Sequence, residues 1–205
     1  CGTRKGDLSM STRGLTGFRL DGTLKAMYNH SDSYPEHLGQ QVVEFCKLVD
    51  WGNPIIKERV ANVKLVQQDA KPSNKKILKY AKYATLRDDA LCLGDWYSLL
   101  YGLQGVGILN QVIRGKVKHM TDDGDFLVDG VFCEWAYIIN LDEETLEVWH
   151  KAKKLYEWNL YKLPVFMLGI TNEYKKKYDR NQFLHEMVCY NWIKIDPLTN
   201  TIKVV

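Results

Sequence analysis

Ser11-Thr-Arg-Gly-Leu-Thr-Gly-Phe-Arg-Leu-Asp-Gly-Thr-Leu-Lys-Ala-Met-Tyr-Asn-His-Ser-Asp-Ser-Tyr-Pro35 is the stretch that decides the fold. Two runs rich in strand formers, Leu15 to Leu20 and Leu24 to Tyr28, flank Asp21-Gly22. An Asp-Gly pair between such runs signals a β-hairpin, because the tight turn needs positive φ at both central residues. The second run leads straight into a polar cluster, Asn29, His30, Asp32 and Tyr34. A strand that ends in such a loop is a common way to present a site. Pro35 then suits a first helical turn, with Ser33 placed as its N-cap.

Working outward, Leu38, Val42, Phe45 and Val49 recur at helical spacing and predict a helix over 36–49, ended by Trp51-Gly52-Asn53-Pro54. Ile56, Val60 and Val63 predict a second helix over 54–68. Ser73 or Asn74 caps a short basic helix through Tyr83, and Asp95 caps one that carries Trp96, Leu99, Leu100 and Leu103. Residues 108–114 read as a further helical segment.

The texture then changes. Asp122-Asp-Gly-Asp125 and Asp129-Gly130 are turn signals around a short strand at 126–128. Val131 to Asn140 and Thr145 to His150 read as a second hairpin, with Trp135 and Tyr137 on one face and Trp149 paired across to that face. The tail from 151 is aromatic-rich, with a helix expected near 181–187 and a final strand near 201–205. The expected fold class is α+β: an antiparallel sheet built from two β-hairpins and packed against helices. A short extension (1–9) precedes a single domain (10–205).

With 205 residues, 45% of them hydrophobic and 26% charged, the chain can bury a core, and disorder or collagen-like structure is excluded. A net charge of +3 does not by itself argue for nucleic acid. The longest apolar run, residues 163–170, falls far short of the roughly 20 residues a membrane span needs. The five cysteines (Cys1, Cys46, Cys92, Cys133, Cys189) are scattered and form no CxxC, which reads as reduced thiols of a cytosol and gives no zinc site. No opening stretch has the pattern of a secretory leader. No cofactor and no membrane partner is expected.

The polar cluster has a sharp reading and a bland one. If Met10 initiates the chain and is removed, Ser11 gains a free α-amine at the head of a strand. N-terminal nucleophile hydrolases use such an amine as base for the adjacent hydroxyl or thiol. In that scheme Ser11 attacks an amide, Asn29 or His30 stabilises the oxyanion, Asp32 orients His30, and Arg13 and Tyr34 bind substrate, Arg13 taking a small anionic group. Cys1-Gly2 offers a competing start of the class II amidotransferase kind, with no further signature behind it. In the bland reading the loop side chains cap the following helix and satisfy turn backbone. A metal set of His30, Asp32 and His37 has suitable ligand types, but its spacing matches no helical HxxxH motif.

Elsewhere, Gly102-Leu-Gln-Gly105-Val-Gly107 lacks the preceding strand and the Lys-Ser/Thr pair of a phosphate loop, so helix termination is its reading. Lysines and arginines gather between Lys57 and Arg87, interleaved with Tyr80 and Tyr83. Lys75, Lys76, Lys79 and Lys82 are the candidate nucleic-acid contacts, against the plain alternative of a solvated helix face. A non-catalytic binding protein for a macromolecule, protein or nucleic acid, is therefore the rival to a small-ligand or amide-cleaving domain.

Several blocks together resemble a family of small phage and bacterial proteins without an assigned activity. They are Ser11-Thr-Arg-Gly-Leu-Thr-Gly-Phe18, Tyr28-Asn-His-Ser-Asp-Ser-Tyr-Pro35, Gly94-Asp-Trp-Tyr-Ser-Leu-Leu100 and Glu134-Trp-Ala-Tyr-Ile-Ile-Asn-Leu-Asp142. Members of that family open Met-Ser-Thr-Arg and carry a Tyr-x-His-x-Asp-x-Tyr-Pro block. The resemblance covers roughly residues 10–150 and implies a phage or prophage setting with Met10 as the start. It carries no catalytic residue with it. The likeness to N-terminal nucleophile hydrolases rests on hairpin layout alone.

Overall fold

The computed structural model describes residues 12–87, 90–164, 193–195 and 202–204. In chain order its strands are β1 (Gly14–Leu20), β2 (Thr23–Asn29), β3 (Lys64–Val66), β4 (Leu86–Arg87), β5 (Ala90–Leu91) and β6 (His119–Thr121). They continue with β7 (Trp135–Asn140), β8 (Thr145–His150), β9 (Lys153–Asn159), β10 (Ile193–Ile195) and β11 (Ile202–Val204). The α-helices are α1 (Gln40–Leu48), α2 (Ile55–Ala61), α3 (Asn74–Tyr80), α4 (Trp96–Leu100) and α5 (Val106–Ile113). Contacts within the chain gather into two units, Cys1–Met167 and Leu168–Val205.

In the first unit the opening hairpin forms as its sequence dictates. β1 pairs antiparallel with β2 from Gly14↔Asn29 to Leu20↔Thr23. Asp21 (φ 51°) and Gly22 (φ 70°) both take the left-handed backbone that the tight turn demands. A second turn holds it from outside: the Asp142 carboxylate accepts the N–H groups of Asp21 and Gly22 at 2.8 and 3.0 Å. Those bonds, Gly22's first, hold the Asp142 pKa below the usual carboxylate range.

The two hairpins share one five-stranded sheet of order β2-β1-β7-β8-β9. The seam between them is the parallel pair β1–β7, in register from Gly14↔Trp135 to Arg19↔Asn140. All other pairs in that sheet are antiparallel, so the fold is α+β. On one face Leu15, Ala26, Ala136 and Ile138 cluster with Leu127 and Cys133. Alternation sends Phe18, Met27, Tyr137 and Ile139 to the opposite face, where all are buried. Helices α2 and α5 contact β1, and α1 packs on α5.

Four local expectations are corrected. The helix expected over 54–68 stops at Ala61, and residues 64–66 become β3 because they pair in parallel with β6, Lys64 opposite His119. The strand expected at 126–128 is a 3-10 turn, Gly124–Val128. That turn packs Leu127 and Phe126 against Leu15, Ala26 and Ile138. The second hairpin begins at Trp135: the N–H groups of Val131 and Phe132 turn to Asp129 Oδ1, and both side chains are exposed. Trp149 lies opposite Ala136, while His150 is the residue opposite Trp135, their rings 4.4 Å apart. Trp149 therefore shares the face of Leu15, where its indole N–H donates to Glu147 at 2.8 Å.

Glu147 is nearly fully buried and also accepts from Asn140 (2.9 Å) and from Arg19, 3.4 Å away across the sheet. The charge is thus paired and its oxygens are satisfied, which is the condition for keeping a carboxylate inside. Ser73 stands at the start of α3 without a side-chain cap bond, whereas Asp95 caps α4 through the Ser98 N–H at 2.7 Å. Cys46 and Cys133 are buried free thiols whose pKa burial raises, and Cys92 is a half-buried one. In the second unit β10 pairs antiparallel with β11, the strand expected near the end of the chain. The helix expected at 181–187 lies outside the described residues.

Candidate functional site

The end of the N-terminal hairpin is built around a glycine. A Cβ at Gly14 would overlap the Trp135 carbonyl oxygen and lie 2.5 Å from Ser33 Oγ, so only glycine lets the loop after β2 fold back over β1. The fold-back is bonded at each point. Ser33 donates its N–H to the Thr12 carbonyl at 3.1 Å, and the Tyr137 hydroxyl donates to the Ser33 carbonyl at 3.0 Å. Asn29 Nδ2 donates to the Ser31 carbonyl and, at 2.8 Å, to Ser33 Oγ. Asp32 adopts φ 53°, and its carbonyl accepts the Leu38 N–H and meets His37 Nδ1 at 3.1 Å.

The predicted residues thus separate by environment. Asn29 is buried with its amide committed to the loop, as is Ser33, which serves there and not as a helix cap. Arg13, His30 and Asp32 are exposed and Tyr34 is half-buried. The Arg13 guanidinium sits over the exposed Phe132 ring, 5.7 Å from its centroid. The His30 N–H donates to Gln104 Oε1 at 2.8 Å, fastening the loop to the turn before α5. In that turn Gly105 has φ 69° and its carbonyl accepts the Thr16 hydroxyl at 3.0 Å. Ser11 lies outside the described residues. Among the described residues no three His, Cys, Asp or Glu side chains gather to hold a metal ion, so the set His30, Asp32 and His37 is not assembled.

Beside this loop the structure opens a groove of about 490 Å³. Tyr28, the last ring of β2 before the cluster, forms one wall together with Tyr97 and Phe126, its ring 6.3 Å and 5.3 Å from theirs. His30 edges onto Tyr28 at 6.2 Å, and Tyr101 continues the aromatic surface 5.7 Å from Tyr97. Gln68 and the exposed Asp122 and Asp125 complete the rim.

The floor is Asp123, a buried carboxylate that accepts from the Tyr28 N–H (2.8 Å), Gln68 Nε2 (2.7 Å) and the Thr121 hydroxyl (2.6 Å). One side chain thereby ties β2, the segment after β3 and the end of β6 to one point. Burial raises the Tyr28 pKa, opposed by Arg13, so the phenol remains a neutral donor at physiological pH. An aromatic wall with free carboxylates at its rim suits a flat ligand that carries positive charge.

Sequence reading named the loop but not the groove. In the sequence Asp122, Asp123 and Asp125 read as turn residues and Phe126 as the start of a strand. Tyr97 lies in the helix that Asp95 caps, and Tyr101 directly follows its last residue, Leu100. Comparison of the chain with protein-family models, curated proteins and solved structures finds no match in any of the three. Among the described residues no helix is long and apolar enough to cross a membrane.

Proposed function

We propose that this chain is a small-ligand-binding domain, of the phage or prophage setting its opening blocks imply, with its site at the end of the N-terminal hairpin. The observation that carries the reading is the groove beside Tyr28, walled by three aromatic rings and rimmed by two exposed carboxylates. The ligand class it fits is a small aromatic amine or guanidine, and not the small anion that Arg13 suggested in isolation. Each ring that stacks on such a ligand contributes about 1 kcal/mol, and three such contacts, about 3 kcal/mol together, set a Kd of several millimolar.

Titration with tyramine against 4-hydroxyphenylacetate, followed by chemical-shift changes, tests this reading. Saturable binding of the amine is expected, weakened about tenfold in Asp122→Asn/Asp125→Asn, with the acid bound more weakly still. Equal binding of both, or of neither, removes the proposal.

Amide cleavage by Ser11 is the second reading, supported by the way Arg13 and His30 stand exposed at the head of β1 and the end of β2. It requires a mature chain that starts at Ser11. An amidase activity of that chain abolished by Ser11→Ala supports it, and activity retained by Ser11→Ala discards it.

A further inference from the structure

Five lysines that the sequence scatters over three segments meet on one surface away from the groove. Lys64 opens β3 and Lys118 directly precedes β6, and the Lys64 N–H donates to the Lys118 carbonyl at 3.0 Å. Helix α3 is fixed over this strand start by Tyr80, whose buried hydroxyl accepts the Lys118 N–H (3.3 Å) and contacts His119 Nδ1 (3.0 Å). Lys76 lies one helical turn before Tyr80, Lys79 Nζ stands 5.2 Å over the Tyr80 ring, and Lys75 adjoins Lys76.

Among the described residues no acid forms a salt bridge with these lysines. The salt bridges among the described residues are Arg19–Glu147 and Lys154–Glu157. The charged groups that act on Lys76 are Lys79, Lys64, Lys75 and Lys118, all of which add to burial in lowering its pKa. The patch is therefore a concentrated positive field on a chain of small net charge.

We infer that Lys64, Lys75, Lys76, Lys79 and Lys118 form a docking surface for the phosphate backbone of nucleic acid. The patch has no arginine fork and no glycine-rich turn to cradle one anion, so a partner with many evenly spaced charges fits it better than a single phosphate. Lysine contacts of this kind are read through charge and not through base sequence. Lys82 does not belong to the set: it is not among the charges that act on Lys76 or on His119.

The test is fluorescence anisotropy of a labelled duplex of about 20 base pairs across a salt series, on the full chain. Five phosphate contacts give a log–log salt slope near −4.5, which is a loss of about 500-fold between about 50 and 200 mM salt. Lys64→Gln/Lys76→Gln/Lys118→Gln should make that slope shallower by about 2.7. Lys151→Gln/Lys153→Gln/Lys162→Gln, an equal change in net charge elsewhere, should leave it within experimental error. Should the patch triple fail to fold by circular dichroism, the exposed single changes Lys79→Gln and Lys118→Gln should each reduce the slope by about 0.9. Equal effects of patch and control variants, absence of duplex binding at about 50 mM salt, or binding to phosphatidylserine vesicles with none to the duplex would each overturn the inference.

Discussion

His119 should make the fold acid-sensitive in a way one substitution removes. Its ring is nearly buried, stacked on Trp96 at 4.9 Å, set against Tyr80 at 5.6 Å, and hydrogen-bonded to the Tyr80 hydroxyl. Burial first, and then the charges of Lys76, Lys64 and Lys79, lower its pKa from 6.5 to about 4. Between those values the unfolded chain binds a proton that the native chain refuses, so stability is full above about pH 6.5 and falls as the solution approaches pH 4. Linkage with these two values gives a loss of under 1 kcal/mol at about pH 6 and roughly 2 kcal/mol at about pH 5.

His119→Phe keeps a ring between Trp96 and Tyr80 and has nothing to protonate. Urea unfolding of both proteins, followed by tryptophan fluorescence from about pH 7 down to pH 4.5, isolates the effect. The shared carboxylates, including Asp142 and Glu157 with their lowered pKa values, cancel in the difference. The stability gap between wild type and variant should shift in the variant's favour by roughly 2 kcal/mol by about pH 5. Parallel pH profiles, or a His119 imidazole resonance that titrates near its ordinary value in the native protein, would refute the reasoning.

Gly14→Ala should cost at least about 2 kcal/mol by urea unfolding, because its Cβ meets the Trp135 carbonyl and Ser33 on both sides of the seam; a cost under about 0.5 kcal/mol would show that the loop does not fold back there. Asp123→Ala leaves the Tyr28 N–H and Gln68 without their acceptor, so a loss of about 2–4 kcal/mol and of groove binding is expected, measured by thermal melt and titration. Asp95→Ala should cost about 1 kcal/mol through its cap bond to Ser98, and leave the hairpin amide shifts unmoved. Lys25→Met removes an ammonium that donates to the carbonyls of Val60, Ala61 and Val63 at 2.7–3.0 Å; about 1–2 kcal/mol of destabilisation is expected, and an unchanged melting point would count against that cap.

Features whose cause is local were legible in the sequence. Asp21-Gly22 supplies its own left-handed turn, Asp95 supplies its own cap, and both form where those residues stand. Residues 63–66 show the opposite case. Their spacing continues a helix, but a strand partner at Lys118–Thr121 satisfies their backbone better than another helical turn. The same holds at the site. Asn29, His30 and Asp32 were visible as polar residues crowded at the end of a strand. That Asn29 is spent on bracing the loop, while Tyr28 lines a groove, depends on where Ser33, Tyr97 and Phe126 arrive from.

By itself, then, the sequence determined the two hairpins, the helix capped by Asp95 and the α+β class, since these follow from turn chemistry and periodicity over a few residues. Only the tertiary structure decided that β1 lies parallel to β7, that Glu147 is buried against Arg19 from 128 positions away, and that lysines of α3, β3 and the approach to β6 share one surface. Those outcomes are set by which distant groups can pair and exclude water together, and no local window of the chain contains both partners.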